Sequence, residues 1–261
     1  MISAIIPVWR EKVGLEALVS VFQGSPEVGE VIVSFAEADS ITMNAISELG
    51  VRCIHAGAPN RGRQLDLGAE AATGDWLLFQ HADTLLTREH LQALASLSDL
   101  QIVGGAFYRR FDERHPWLRW LEPVERWHNR SFGALYGDQS LFVRREVFAA
   151  LGGFRHLPLM EDVDFSRRLR RYGKVQLLDP PIASSPRKHL AQGPWRTTFN
   201  NAVLLLLYHL GVHPERLHRW YYRGGASSGA DGAKHSERPA DTPIGSPGPS
   251  KANEQQHAHV R

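Results

Sequence analysis

The sequence predicts an α/β protein with a mostly parallel central sheet and helices on both faces. Two observations lead there. Short apolar runs alternate with helical patterns through the N-terminal half, and those runs are apolar almost throughout rather than at every second residue. Strands of that kind are buried on both sides, which is the setting of a parallel sheet sandwiched between helices.

The elements follow in order. Ser3–Val8 reads as a buried strand. Leu15, Leu18, Val19 and Phe22 then repeat at i, i+3, i+4 and i+7, a helical face closed by Gly24. Glu30–Phe35 and Val51–His55 are the next strands, and Gly62–Thr73 is an Ala-rich helix stopped by Gly74. Trp76–Gln80 is a fourth strand that runs into His81-Ala82-Asp83. Arg88–Leu97 reads as a helix and Ile102–Phe111 as a strand, in which Gly104-Gly105 signals a bulge or a close backbone approach. Beyond residue 112 come an aromatic helix over Trp117–Phe132, a strand at Ser140–Arg144 and a short helix at Arg145–Leu151. An amphipathic helix over Glu161–Tyr172 is expected to turn Arg167, Arg168, Arg170 and Arg171 to solvent. Val175–Leu178 is a last strand, and Thr197–Leu210 and Pro214–Tyr222 are C-terminal helices. This organisation gives a domain over 1–223 and a tail over 224–261, whose Gly, Ser, Pro and Ala content predicts disorder.

Composition removes several functions. The 261 residues are 43% hydrophobic, enough for a sizeable core. A net charge of +2 gives no electrostatic case for nucleic-acid binding. The single cysteine, Cys53, excludes an intrachain disulfide and a Cys-based zinc site, and suits a reducing compartment, so a cytoplasmic setting is expected. The apolar run Ile2–Trp9 is too short and lacks the basic flank of a signal peptide. No run reaches the roughly 18–20 apolar residues of a spanning helix. Pro7-Val8-Trp9-Arg10-Glu11 carries no glycine, which argues against the Gly-rich basic loop of a nucleotidyltransferase and the G-x-G-x-x-G of a dinucleotide-binding oxidoreductase.

In open α/β sheets, ligands bind beyond the carboxyl ends of the strands. Several polar residues fall there: Arg10 and Glu11 with Pro7, Glu37 and Asp39, Arg61, Arg63 and Gln64, and Asp83. Asp83 could be a turn residue or a helix cap, in competition with Thr84 and Thr87, or could hold a divalent cation against a diphosphate. Glu161 and Asp162, with Asp164, could simply favour the start of a helix, or one of the pair could enter a cleft as a general base.

Ile5-Ile6-Pro7-Val8 with Glu11, His81-Ala82-Asp83, Gly137-Asp138-Gln139 and Met160-Glu161-Asp162-Val163-Asp164 stand in the order found in family 2 glycosyltransferases. Over about residues 3–222 the chain resembles that family, and most closely the subgroup called rSAM/selenodomain-associated transferase 2, also labelled arsenosugar-biosynthesis glycosyltransferase. Gly62-Arg63-Gln64 stands for the subgroup's Gly-Arg-x-x-Gln with a shifted spacing. The resemblance implies a GT-A fold, a nucleotide-diphospho-sugar donor, Mg²⁺ or Mn²⁺, and inversion at the anomeric carbon. It implies that Asp83 bridges the metal, that Asp162 is the base with Glu161 beside it, and that Pro7 and Glu11 border the nucleoside. Gly137, Asp138 and Gln139 would shape the donor-sugar and acceptor region. Arg63, Arg187 and Lys188 are candidates to stabilise the leaving diphosphate, and Gln64 belongs to the same donor region.

One residue departs from the family pattern. Phe35 stands where an Asp at the end of the second strand usually meets the nucleobase, so Glu37 or Asp39 would have to replace it. That departure keeps open a non-catalytic nucleotide-sugar or glycan-binding module as the alternative function. Ala202–Val212 reads as a packing helix, or as an interfacial membrane contact flanked by Trp195, Trp220, Tyr221 and Tyr222. The second reading would suit a lipid-linked acceptor at the inner face of the plasma membrane.

Overall fold

The computed structural model describes residues 1–9, 15–37, 44, 46–81, 84–111, 135–184 and 194–225. The aromatic helix expected over Trp117–Phe132 lies outside them, as does the tail beyond residue 225. Met1–Ser228 holds together as one unit.

The elements run β1 (Ile2–Trp9), α1 (Leu15–Gln23), β2 (Val28–Ala36), β3 (Arg52–His55), α2 (Arg61–Ala71), β4 (Trp76–Phe79), β5 (Thr84–Leu85) and α3 (Arg88–Ala95). They continue as β6 (Ile102–Phe111), a 3₁₀ turn (Gly137–Gln139), β7 (Leu141–Arg144), α4 (Arg145–Ala150), α5 (Glu161–Tyr172), β8 (Lys174–Ser184), α6 (Pro194–His209) and α7 (Pro214–Gly225). Among the described residues, eight strands form one sheet in the order β3-β2-β1-β4-β7-β6-β8-β5. Pairs β2–β3, β1–β2, β1–β4 and β6–β8 are parallel; β4–β7, β6–β7 and β5–β8 are antiparallel.

The near-continuous apolar runs divide between two cores by the two-residue period of a strand. Ala4, Ile6 and Val8 of β1 join Val31, Val33 and Phe35 of β2 on the face covered by α1 and α3. Ile5, Ile32, Leu77 and Phe79 point the other way, onto Leu65 and Ala69 of α2 and Phe165 and Leu169 of α5. Helix α2 lies close to β1: a Cβ at Gly68 would stand 2.4 Å from Cγ2 of Ile5. On the same side Phe154 meets Phe79, Phe148 and Phe165 with ring centroids 5.0, 5.5 and 4.6 Å apart. Each such aromatic contact adds roughly 0.5–1.5 kcal/mol beyond its buried area. This cluster anchors the loop that delivers the first turn of α5.

Gly104 and Gly105 are sites of close approach. A Cβ at Gly105 would lie 1.8 Å from the carbonyl oxygen of Gln176, and one at Gly104 would lie 2.6 Å from that of Phe142. The β6–β8 register also shifts between Ile102 and Gly104. Strand β8 is longer than the sequence suggested. It continues past Asp179-Pro180-Pro181, where a second register shift faces Phe107–Arg109; prolines, which lack a ladder donor, are tolerated at such irregularities. Strand β5 is too short to leave a periodic signal. Of the two threonines that could cap α3, Thr87 takes the position, its backbone N–H donating to His90 Nδ1 at 3.1 Å.

Candidate functional site

The topology brings many ends to one edge of the sheet. Strands β1, β2 and β4 finish there, and β7, antiparallel to β4, begins there with Leu141 opposite Phe79. Strand β6 runs antiparallel to β7, so its later residues, including Arg109, rise to the same edge. The 3₁₀ turn sits just before β7.

The first turn of α5 is tied to that turn. The N–H of Gly137 donates to Asp162 Oδ2 at 2.7 Å, and the N–H of Val163 donates to Oδ1 at 2.8 Å. Asp162 is half-buried, with both oxygens held by backbone donors that face the turn and the helix start. Glu161 is buried and lies 3.2 Å (Oε1) from an Arg61 guanidinium nitrogen. Burial pushes its carboxyl above the usual range; Arg61 opposes the shift and the adjacent Asp162 adds to it.

Asp138 pairs with Arg109. Burial works against its ionisation, but Arg109, His81 and Arg61 outweigh that and hold the carboxyl below its ordinary range. Its Oδ1 is buried and accepts no hydrogen bond among the described residues. Gln139 folds back, its side-chain oxygen accepting the N–H of Tyr136 at 2.9 Å. Desolvation, aided by the nearby Arg61 charge and opposed by Asp138, drops the His81 imidazole to about 3. Gln80 fixes the end of β4: its Nε2 donates to the carbonyls of His81 and Thr84 at 2.8 and 2.9 Å, and its Oε1 accepts from the Ser140 hydroxyl.

Backbone strain gathers here too. Among the described residues, three non-glycines adopt left-handed conformations: Glu37 (φ 46°), Ser140 (φ 52°) and Met160 (φ 67°). They follow β2, follow the 3₁₀ turn and precede α5 respectively. Such conformations cost about 1–3 kcal/mol each and cluster at active sites and ligand clamps.

The remaining expected residues fall as follows. Pro7 is half-buried in β1 opposite Ser34, and Glu37 is exposed at the end of β2, accepting the Trp9 indole N–H at 3.3 Å. Phe35 belongs to the core and packs against His55 with ring centroids 5.1 Å apart. Gln64 is buried and its Nε2 donates to the carbonyls of Val8 and Ser34, each at 2.9 Å, so its amide staples β1 to β2. Arg63 is exposed; the arginine of α2 that reaches the acidic pair is Arg61. Glu11, Asp39, Asp83 and Arg187 lie outside the described residues.

Asp164 lies in the first turn of α5, as expected, and is buried there. One expectation about α5 needs correction. Arg168 is not part of a solvated face: it donates to Asp164 Oδ2 and to the carbonyls of Leu151 and Gly153, each at 2.8 Å. The i, i+4 spacing of Asp164 and Arg168 was a signal for that pair. Arg61 and Arg109 were missed as partners of the acids because both pairings are long-range.

Residues 3–152 match the sequence profile described as Glycosyl transferase family 2. The chain belongs to that family. The family 2 match ends before α5, so the acidic turn is joined to it by the geometry described above. No curated protein matches the chain at a significant level. Solved structures resemble it at low identity. A mannosyltransferase from Pyrobaculum calidifontis in complex with GDP-mannose and Mn²⁺ is 14% identical, with 87% of this chain and 79% of that chain covered and a TM-score of 0.53. Glucosyl-3-phosphoglycerate synthase from Mycobacterium tuberculosis, in complex with Mn²⁺, UDP-glucose and glycerol 3-phosphate, is 17% identical over 70% and 71% of the two chains, with a TM-score of 0.51. TarS 1-349 of S. aureus is 13% identical over 83% and 68%, with a TM-score of 0.56. These likenesses establish the GT-A fold of this glycosyltransferase family 2 member.

Proposed function

We propose that the protein transfers a sugar from a nucleotide-diphospho-sugar to an acceptor hydroxyl, with inversion at the anomeric carbon. The observation that carries this reading is the junction of Asp162 with the Gly137–Gln139 turn, where Arg61, Arg109 and His81 also gather. The acceptor oxygen attacks the anomeric carbon on the face opposite the diphosphate. Asp162 takes the hydroxyl proton, and the glycosidic C–O bond breaks with its electron pair leaving on the nucleoside diphosphate. Base assistance of this kind is worth roughly 10²–10⁴-fold. Arg61 and Arg109 are each paired with an acid at this edge, Glu161 and Asp138, and so fix the positions of those carboxylates.

A divalent ion, Mg²⁺ or Mn²⁺, would neutralise charge on the departing diphosphate. Among the described residues no three His, Cys, Asp or Glu form a set that could hold an ion, so Asp83 is the residue on which that site depends. Two described residues of this edge have the chemistry to join it around a cation. His81 is kept neutral, the state in which imidazole binds metals, and Asp138 offers a buried carboxylate oxygen with no hydrogen-bond donor among the described residues. Two structural neighbours were solved with Mn²⁺ and nucleotide sugars, which supports the same donor class here. Pro7, Glu11, Glu37, Asp39, Arg63 and Arg187 remain our candidates around the donor, and the order of motifs favours the arsenosugar-type subgroup.

The buried Phe35 favours one second reading, a module that binds nucleotide sugars without turnover. Thermal-shift titration with nucleoside diphosphates, with and without Mn²⁺, tests both readings, since a ligand of the native state raises its melting point. A metal-dependent shift with a nucleoside diphosphate supports a donor site, and no shift with any of them contradicts it. Turnover of a nucleotide sugar then separates enzyme from module.

We also propose a peripheral membrane contact through α6 and α7. No helix among the described residues is long and apolar enough to cross a membrane. Yet Phe199, Leu206 and Leu210 are 68%, 58% and 71% exposed on one face of the α6 region, with Trp220 of α7 at 45%. Exposed Arg216 and Arg219 supply charge for an anionic surface. Co-sedimentation with phosphatidylglycerol vesicles that Leu206→Asp abolishes would support this, and equal recovery of both proteins in the supernatant would refute it.

A further inference from the structure

We propose that Arg61 is a positioning residue of this site, and that residue 137 is a glycine in order to admit it. The kinetic consequence rests on the sugar-transfer reading; the geometry does not. Arg61 opens α2, and Asn60, which caps that helix, ties its start to the chain at His156. Asn60 Oδ1 accepts the N–H of Arg63 at 2.9 Å, while Asn60 Nδ2 donates to the carbonyl of His156 at 3.1 Å. From that fixed base the guanidinium reaches Glu161 Oε1 at 3.2 Å. It also fills the space in front of Gly137: a Cβ there would stand 2.1 Å from one terminal nitrogen and 2.9 Å from Cζ. Gly137 is in turn the donor to Asp162 Oδ2.

Arg61 therefore supports Asp162 from two directions. It is the cation beside the preceding residue, and it packs under the backbone unit whose N–H orients the base. A planar guanidinium can make both contacts at once; an ammonium is a single point of charge. The glycine follows from this packing. Gly137→Ala leaves the N–H to Asp162 intact and adds only a methyl. The atoms it meets are the far end of a flexible side chain, so the guanidinium is what moves, away from Glu161.

The test is a kinetic cycle on the full chain with Arg61→Gln, Gly137→Ala, the double variant and Arg61→Lys. Displacing a positioning group by about an ångström lowers rate by up to roughly 100-fold. We expect Arg61→Gln and Gly137→Ala each to lower kcat by about 10- to 100-fold. Donor KM should stay within about threefold. The double variant should be no slower than Arg61→Gln, because the methyl has nothing left to displace. Arg61→Lys should recover part of the loss. Wild-type kcat in Gly137→Ala, losses that multiply in the double variant, or a loss confined to KM would each overturn the proposal. If the wild-type protein turns over no nucleotide sugar, the sugar-transfer reading fails by itself, and the packing claim is read from melting points. Gly137→Ala should then lower the midpoint in the wild-type background and leave it unchanged in Arg61→Ala; equal shifts in both backgrounds would overturn the claim.

Discussion

Asp162 and Asp164 are two residues apart on one helix turn, and the structure gives them opposite tasks. Asp164 has a side chain only 1% exposed, with Arg168 Nε at 2.8 Å from Oδ2 and an Arg155 nitrogen at 3.3 Å from Oδ1. Arg168, with its side chain 17% exposed, also holds the carbonyls of Leu151 and Gly153, so one ion pair binds the start of α5 to the end of α4. Asp164→Asn removes the negative charge and leaves Arg168 facing a neutral amide. Breaking one side of a buried pair costs about 3–5 kcal/mol. The retained carbonyl bonds and partial exposure of Arg168 reduce this to about 2–3 kcal/mol. For a domain of this size that is a fall in Tm of roughly 4–12 °C. Equilibrium urea unfolding should show a lower midpoint with an unchanged slope. Asp162→Asn, which loses one of two backbone hydrogen bonds and weakens the other, should cost about 1–1.5 kcal/mol on this half-buried group. A stability of Asp164→Asn within about 0.5 kcal/mol of wild type, or a larger loss in Asp162→Asn, would refute this division of labour.

Three further outcomes follow from the same packing. Gln64→Leu strands the Val8 and Ser34 carbonyls and should cost about 2–4 kcal/mol in urea unfolding. Gly105→Ala drives a Cβ into the Gln176 carbonyl, which is backbone and has little room to yield, so the variant should lose at least about 3 kcal/mol or fail to accumulate as folded protein. Asp138 has a folded value depressed below the ordinary 3.8 despite its burial, chiefly by Arg109. Its stabilising contribution is therefore complete above 3.8 and fades as pH falls through the lower folded value. Asp138→Asn should flatten that part of the acid side of the stability–pH curve, as read from unfolding midpoints.

Much of the fold was legible because burial on both faces leaves long apolar runs. Helix α5 was read with both ends correct, since acids crowd its first turn and Gly173 stops it. The full length of β8 was not legible, because Asp179-Pro180-Pro181 looks like a terminator and only the shifted register against β6 keeps the strand going. The motifs of the candidate site were visible in the sequence, and the structure joins two of them through the Gly137–Asp162 hydrogen bond. Its cations were not. Arg61 meets Glu161, and Arg109 meets Asp138, only after the sheet has assembled, and no local pattern marks either residue. Gln64 illustrates the reverse case: a polar residue in a motif that the fold uses to lock two strands.

The most direct measurement is release of nucleoside diphosphate from a panel of nucleotide sugars, run with wild-type protein and with Asp162→Asn under the same Mn²⁺ concentration. The account requires wild-type turnover with at least one donor and a loss of roughly 10²–10⁴-fold in the variant, with donor affinity retained. Undiminished turnover after the carboxylate becomes an amide would contradict it.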